Sequence, residues 1–257
     1  RHARMTALHY SLESLERPRL GLIVLQADET CEDDFRGILP RDISLLVSRV
    51  PSGEHVTPDT LRETEGNLTA AARLFPSDAS FDALGYACTS ATAEIGAEKV
   101  ATQIRAGTTA TNITDPVTAL IAACRALKLT KIALLSPYIE SVSSRLRNVL
   151  ANAGIETPEF ASFEESLEAR VALIDAASIT DAAVGMMAGS DCQALFLSCT
   201  NLRTFGVIPD LEHKLGLPVL SSNLVLAWHM LILAGVQGSS RPVDLLKHGR
   251  GAGAKRT

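Results

Sequence analysis

Two cysteines, Cys88 and Cys199, each end an apolar stretch of similar sequence, and each is followed by threonine. They lie 111 positions apart (199 minus 88), and the same offset aligns the apolar segments 20–24 and 131–135. An internal repeat of this kind predicts two similar α/β halves that each present one thiol. Such a pair could transfer protons at opposite faces of one carbon. Alternatively, one thiol could add to a substrate while the other supplies a proton.

Composition narrows the class of protein that can carry this pair. Of 257 residues, 46% are hydrophobic and 21% are charged, and the formal net charge is −5. This is typical of a globular enzyme and predicts no nucleic-acid partner. No apolar run reaches membrane-spanning length, so we predict no membrane association. Five cysteines without a Cys-x-x-Cys pair favour a reducing, cytoplasmic location over disulfides or zinc. We expect core packing for Cys124 and Cys192, whereas the role of Cys31 stays open.

Strand-like and helix-like segments alternate along the chain. This pattern predicts an α/β fold of two pseudo-symmetric lobes, each a parallel sheet flanked by helices, with the active site in the cleft between them. The predicted strands are 20–25, 43–50, 83–88, 132–135, 194–198 and 218–220. The predicted units are a first lobe over 19–127, a second lobe over 128–237 and a flexible tail over 238–257, with elements exchanged near the boundary and at the C-terminal helix.

The surroundings of the two cysteines indicate how they could act. A free thiol with a pKa of about 8.5 is only a few per cent ionised at neutral pH. Both Cys88 and Cys199 are predicted to lie where a strand leads into a helix, and backbone N–H groups at a helix N-terminus lower a thiol pKa. The same region supplies polar groups that could hold a substrate carboxylate, namely Thr89, Ser90, Thr200 and Asn201.

Helix ends and the last helix give further expectations. The pattern predicts a capping residue at Thr30, and Asn112 and Asn223 are predicted helix caps that could also orient a ligand. The last long helix, 224–233, is apolar throughout. We expect Trp228 and Met230 to be exposed on it, which would permit a dimer interface, and we predict a homo-oligomer.

Several short motifs in a consistent order resemble the aspartate/glutamate racemase superfamily. Specifically, the chain resembles the branch of maleate cis-trans isomerases, arylmalonate decarboxylases and ectoine-utilisation proteins, from about Arg19 to Gly235. The matching segments are 19–24, 56–58, 86–90, 136–138 and 198–201. The resemblance implies two pseudo-symmetric α/β lobes with a cofactor-free active site between them. It also implies that Cys88 and Cys199 are the catalytic pair and that Tyr138 hydrogen-bonds a substrate carboxylate.

Departures from the family pattern are informative. Arylmalonate decarboxylases keep only the second cysteine, so Cys88 argues against that activity. Glutamate racemases place histidine where this chain has Asn201. Maleate isomerases typically carry Ser-Asn after the first strand, where this chain has Ala27 and Asp28. An ionised Asp28 would repel a second substrate carboxylate and suit an ammonium group. The expected substrate therefore bears a carboxylate and a basic nitrogen, which favours the ectoine-utilisation subgroup.

Three functions remain open at this point. The first is a cofactor-independent isomerase or racemase of a small carboxylic acid, in ectoine breakdown or maleate cis-trans isomerisation. The second is a decarboxylase that uses Cys199 alone to protonate an enolate. The third is a two-lobed ligand sensor without turnover, in which both thiols only line the cleft.

Overall fold

The protein folds around two parallel four-stranded sheets. A computed structural model describes residues 7–14, 16–236 and 242–244. The first sheet has the order β2-β1-β3-β4 and the second has the order β6-β5-β7-β8. The strands are β1 (Arg19–Leu25), β2 (Ser44–Val50), β3 (Ser80–Ala87), β4 (Thr109–Thr114), β5 (Ile132–Tyr138), β6 (Phe160–Glu165), β7 (Ala194–Leu197) and β8 (Val219–Ser221). Every pairing is parallel.

Helices connect successive strands, which confirms the predicted α/β class. They are α1 (Cys31–Ile38), α2 (Pro58–Glu63), α3 (Glu65–Ala72), α4 (Thr89–Ile95), α5 (Ala97–Arg105), α6 (Pro116–Leu127), α7 (Glu140–Asn152), α8 (Glu168–Val171), α9 (Ala176–Met187), α10 (Ile208–Leu215) and α11 (Ser222–Leu233), followed by a 3₁₀ turn (Pro242–Asp244). Because helices cover both faces of a parallel sheet, its inner strands are buried, as β5 is along its whole length.

Two edge strands are absent from the predicted set, and two helical stretches of the chain are broken. The strands β4 and β6 are half-exposed and polar, so no apolar run marks them. Helices α2 and α3 follow one another directly and are separated at Thr64. A second break falls at Gly96, whose φ of 99° favours glycine and ends α4 before α5 begins.

The last helix, α11, packs against the first sheet although it follows the second. A Cβ atom at Gly85 of β3 would lie 2.5 Å from the Met230 sulfur, so glycine permits this close approach. The expectation for Trp228 and Met230 is wrong, because both are buried inside the molecule. The predicted homo-oligomer therefore stays a prediction, and exposed side chains on α11 no longer support it.

The asparagine caps are also corrected. Asn112 lies within β4, where its amide donates hydrogen bonds to the carbonyls of Asp82 and Leu233, both at 3.0 Å. Ser221, not Asn223, caps α11 by accepting the N–H of Leu224. The two halves have corresponding strands, but the following helices do not begin at corresponding positions. Helix α4 begins directly after Cys88, whereas α10 begins nine residues after Cys199.

The division into lobes over 19–127 and 128–237 stays a prediction. The predicted flexible tail, 238–257, lies outside the described residues except for Pro242–Asp244. Within the described ranges, no helix combines the length and apolar character needed to cross a membrane.

The inner strands of the two sheets position the candidate site. In parallel sheets, ligands bind beyond the carboxyl ends of the strands. Asp28 follows β1 and Cys88 follows β3 in the first sheet, whereas Tyr138 ends β5 and Cys199 follows β7 in the second. The carboxyl ends of two neighbouring strands in each sheet thus position these four side chains.

Candidate active site

A narrow cavity, closed so tightly that it leaves no room for a water molecule, lies at these strand ends. It contains all eight predicted site residues and adds Leu25 and Glu168. No lysine, arginine or histidine is among the described residues that line it. The lining residues are Leu25, Asp28, Cys88, Thr89, Ser90, Tyr138, Glu168, Cys199, Thr200 and Asn201. The structure therefore brings both cysteines to one cavity, while their catalytic roles stay predictions.

Cys88 lies at the start of helix α4. Its sulfur accepts a hydrogen bond from the N–H of Ala91 at 3.4 Å, which makes it the N-cap residue. The expected lowering of its pKa is nevertheless wrong. Burial raises the pKa of the Cys88 thiol to about 12, because desolvation outweighs this one N–H bond and the Glu168 and Asp28 carboxylates also oppose ionisation. Cys88 is protonated in this closed site.

Cys199 has a strained backbone, with a φ of 90° that L-residues rarely adopt. Its sulfur accepts the N–H of Asn201 at 3.2 Å and lies 2.8 Å from the Tyr138 hydroxyl oxygen. The predicted helix start is wrong here, since the next helix, α10, begins only at Ile208. Burial, followed by the Glu168 charge, raises the pKa of the Cys199 thiol well above its ordinary value.

Ser222 connects the two cysteine loops, and sequence reasoning missed it. Its hydroxyl oxygen accepts the backbone N–H of Cys199 at 3.0 Å and lies 2.7 Å from the Thr89 hydroxyl. Thr200 adds a second connection, because its hydroxyl donates to the carbonyl of Ala87, next to Cys88. The positions of the two thiols are therefore coupled through hydrogen bonds.

Glu168 is the second site residue that sequence reasoning missed. Its carboxylate accepts a hydrogen bond from the Tyr138 hydroxyl at 2.8 Å and another from the Asn201 amide at 3.0 Å. Its backbone N–H donates to the carbonyl of Glu54 at 3.1 Å, which joins the second-sheet side of the site to a loop after β2. Burial raises the pKa of the Glu168 carboxyl.

Asp28 presents a carboxylate oxygen without a hydrogen-bond partner. Its Oδ1 atom accepts the N–H groups of Thr30 and Cys31, at 2.9 and 2.8 Å, while Oδ2 is buried and unpartnered. Burial raises the pKa of this carboxyl, and the two amide bonds partly offset the effect. Thr30 is the N-cap residue of α1, as predicted, but its hydroxyl forms no capping bond and donates to the carbonyl of Asn201 instead.

The groups predicted to hold a substrate carboxylate are engaged within the protein. The Tyr138 hydroxyl contacts Glu168 and Cys199. The Asn201 amide donates to Glu168, and its oxygen accepts the N–H of Glu29 at 2.9 Å. A substrate must therefore compete for these donors, and their predicted roles stay predictions.

The remaining cysteines are not among the described residues that line the cavity. Cys31, Cys124 and Cys192 are buried, and burial raises the pKa of the Cys124 thiol to about 12. His229 pairs with the Thr114 hydroxyl at 2.7 Å, which supports a structural role. In the part of the chain that the structure describes, no cluster of histidine, cysteine and acidic side chains could hold a metal ion.

Fold and cavity together define a parallel α/β protein with paired thiols at the strand ends of two sheets. The family model for arylmalonate decarboxylase matches residues 96–245, which is more than half of the chain. The chain belongs to the arylmalonate decarboxylase family.

Individual relatives fall into two named groups. The arylmalonate decarboxylase of Bordetella bronchiseptica is 33% identical over 126 residues, which cover 49% of this chain and 52% of that enzyme. The chain thus spans about half the length of this relative. The maleate isomerase of Geobacillus stearothermophilus is 26% identical over 218 residues, covering 79% of this chain and 86% of the relative.

Solved structures from both groups share the fold. The maleate isomerase Iso from Pseudomonas putida S16 has a TM-score of 0.75 and 25% identity, with 86% of this chain and 94% of that chain covered. A double mutant of arylmalonate decarboxylase in its liganded form has a TM-score of 0.76 and 28% identity, with 88% and 96% covered. A role in ectoine utilisation stays a prediction.

Proposed function

We propose that this protein is a cofactor-independent isomerase or racemase of a small carboxylic acid, with Cys88 and Cys199 as its reacting pair. The observation that carries the proposal is that both sulfurs line one cavity, each delivered by an inner strand of a different sheet. A reaction at both faces of one carbon needs a proton-transfer group on each side. Similarity to maleate isomerases over most of the chain supports the isomerase class.

Two pathways use this pair without a cofactor. In racemisation, one thiolate removes the proton next to the carboxylate and the opposite thiol protonates the resulting carbanion. In cis-trans isomerisation, Cys88 acts as a thiolate: its sulfur bonds to one alkene carbon while the Cys199 thiol protonates the other. Rotation about the new single bond and elimination of Cys88 then give the other isomer, and the proton returns to Cys199. Burial raises the pKa of both thiols, so one of them must lose its proton before it can act.

Asp28 supports a substrate that also carries a basic nitrogen. Its unpartnered Oδ2 atom is buried in a cavity whose described lining contains no basic side chain. A buried carboxylate oxygen without a hydrogen-bond partner is costly, and a substrate ammonium group would supply that partner. The proposed substrate class is therefore a small carboxylic acid with an amino group, as in ectoine breakdown. Maleate, the substrate of the alternative cis-trans isomerisation, has no amino group to pair with Asp28.

A decarboxylase remains the second candidate because the family match itself names arylmalonate decarboxylase. That reaction would need Cys199 alone to protonate an enolate. Replacing Cys88 separates the two candidates, since an isomerase requires both sulfurs and a decarboxylase should survive the loss of this one.

The test is incorporation of solvent deuterium into probe acids, followed by NMR. Maleate, phenylmalonate and 2,4-diaminobutyrate are incubated in D₂O with the wild type, with Cys88→Ala and with the control Cys124→Ala, which removes a buried thiol outside the cavity. We expect exchange or isomerisation of at least one probe, lost in Cys88→Ala and retained in Cys124→Ala. Retained turnover of phenylmalonate by Cys88→Ala would establish the decarboxylase, and binding without exchange of any probe would establish the sensor.

A further inference from the structure

Hydrogen-bond direction at Tyr138 connects Cys199 to a carboxylate. A phenol has one proton to donate. An ionised Glu168 has none, so the Tyr138 hydroxyl donates to Glu168 Oε1 at 2.8 Å. The second contact of this hydroxyl, 2.8 Å from the Cys199 sulfur, must then be donated by the thiol. The order of donors is therefore Cys199 to Tyr138 to Glu168.

We propose that Glu168 is the proton acceptor of Cys199, reached through the Tyr138 hydroxyl. The Cys199 S–H bond breaks as its proton moves to the Tyr138 oxygen, and the Tyr138 O–H bond breaks as its proton moves to Glu168 Oε1. The products are a Cys199 thiolate, a neutral tyrosine and a protonated glutamate, with the single negative charge moved from oxygen to sulfur. This step rests on the racemisation pathway of the proposed function, in which Cys199 must lose its proton before it can act as a base.

The surroundings of Glu168 suit an internal proton acceptor. The Asn201 amide donates to its Oε2 atom, and its backbone is fixed by the bond to Glu54, so Oε1 stays directed at Tyr138. The titratable groups around it are Asp28, Cys88, Tyr138 and Cys199. Burial, together with the Asp28 charge, raises the pKa of Glu168 and strengthens it as a base. The resulting thiolate would keep the N–H bond from Asn201.

Cys88 also has a tyrosine beside it, but that tyrosine is not bonded to a carboxylate among the described residues. The Cys88 sulfur accepts the N–H of Ala91 and a hydrogen bond from Tyr86, whose hydroxyl otherwise pairs with the neutral hydroxyl of Thr64 at 3.2 Å. No carboxylate ends that path within the described part of the chain. For the racemisation pathway, the arrangement thus makes Cys199 the thiol that ionises first and leaves Cys88 as the protonated partner.

The test measures the rate at which iodoacetamide alkylates each cysteine as a function of pH, with peptide mapping by mass spectrometry. A thiol that titrates alone reacts about tenfold faster per pH unit below its pKa. A thiol that shares one proton with Glu168 ionises to a constant fraction between the two pKa values of the pair. We therefore expect a pH-independent plateau for Cys199 around neutrality in the wild type, whereas Cys88 shows the tenfold slope.

Two variants should abolish the plateau by different routes. Glu168→Gln removes the proton acceptor, and Tyr138→Phe removes the connecting hydroxyl, so Cys199 should regain the tenfold slope in both. The control Asp115→Asn changes a buried helix-capping carboxylate outside the cavity and should keep the plateau. A tenfold slope for Cys199 in the wild type, with faster alkylation in Glu168→Gln at every pH, would overturn the proposal and leave Glu168 as a charge only.

Infrared spectroscopy gives a second answer that requires no reagent to enter the cavity. The S–H stretching band of Cys199 is identified by its loss in Cys199→Ser. Tyr138→Phe should shift this band, because the thiol loses its acceptor, and an unmoved band would overturn the donor order. Neither measurement uses a substrate. A plateau without exchange of any probe acid would support Glu168 as the proton acceptor and refute the isomerase proposal. Exchange of a probe acid without a plateau would support the isomerase proposal and refute Glu168 as the proton acceptor.

Discussion

Replacing Asp34 with asparagine should stabilise the protein in a manner that depends on pH. Burial raises the pKa of Asp34 from 3.8 to about 7, and the nearby Asp28 and Asp33 charges act in the same direction. The hydrogen bond from the Asn223 amide, at 2.8 Å, and the charge of Arg203 only partly oppose this. Between these two pKa values the folded state binds more protons than the unfolded state, so this carboxyl lowers stability as pH rises.

The magnitude follows from the size of the shift. Each pKa unit corresponds to about 1.4 kcal/mol, so the cost of Asp34 grows by about 3 kcal/mol between about pH 5 and about pH 8. An asparagine side chain at this position cannot ionise, and its oxygen can still accept the Asn223 amide. The free energy of unfolding of Asp34→Asn, relative to the wild type, should therefore increase by about 3 kcal/mol over this interval.

The assay is urea denaturation at both pH values, with Asp33→Asn as the matched control. Asp33 is an exposed neighbour on the same helix and forms a surface ion pair with Arg36. Its replacement should change stability by less than about 0.5 kcal/mol at either pH. A stability difference for Asp34→Asn that is the same at both pH values would refute the reasoning, because the burial cost of this charge would then be absent.

Two further predictions concern packing and the connection between the cysteine loops. Ser222→Ala leaves the buried N–H of Cys199 without an acceptor and should lower the free energy of unfolding by about 1–3 kcal/mol in urea titrations; a change below about 0.5 kcal/mol would show that this bond is replaceable. Gly107→Ala would place a Cβ atom 2.5 Å from the backbone carbonyl oxygen of Thr69 and should destabilise by about 1–3 kcal/mol. Gly66→Ala, in a helix with nothing within 4 Å of the new atom, should instead stabilise by about 0.5–1 kcal/mol, and equal effects of the two glycine replacements in thermal denaturation would contradict the contact.

The strands that precede the two cysteines can be predicted because the pattern that defines them lies within a few consecutive residues. Buried parallel strands are continuous apolar runs, and the repeat places Cys88 and Cys199 at corresponding strand ends. Side chains at the carboxyl ends of inner parallel strands meet at the same edge, so the residues of one cavity follow from the strand pattern.

Glu168 could not be predicted in this way. It follows β6, a polar edge strand without an apolar run, and it enters the cavity because residues 54–56 and 166–168 pair through backbone hydrogen bonds. These segments are more than 100 positions apart, and no local pattern records their contact. The only signal in the sequence for a role in the site was that residue 168 is acidic. Because the chain has 29 acidic residues, that signal does not single it out.

The predicted direction of the thiol pKa shifts was wrong for a related reason: the pKa of both thiols is raised, not lowered. A helix N-terminus lowers a thiol pKa where water reaches the sulfur. Here both sides of the cavity close over Cys88 and Cys199, and the carboxylates of Asp28 and Glu168 lie nearby. Desolvation and like charge together exceed the effect of one or two N–H donors, and both depend on tertiary contacts that the sequence pattern does not show.

The most direct measurement is a crystal structure of the wild type with a bound substrate acid or its unreactive analogue. The expected complex has the sulfurs of Cys88 and Cys199 on opposite sides of the ligand, each within about 3.5 Å of a reacting carbon, which is the same carbon in racemisation and the two alkene carbons in isomerisation. A ligand that contacts only one of these sulfurs, or that binds outside this cavity, would contradict the two-thiol mechanism.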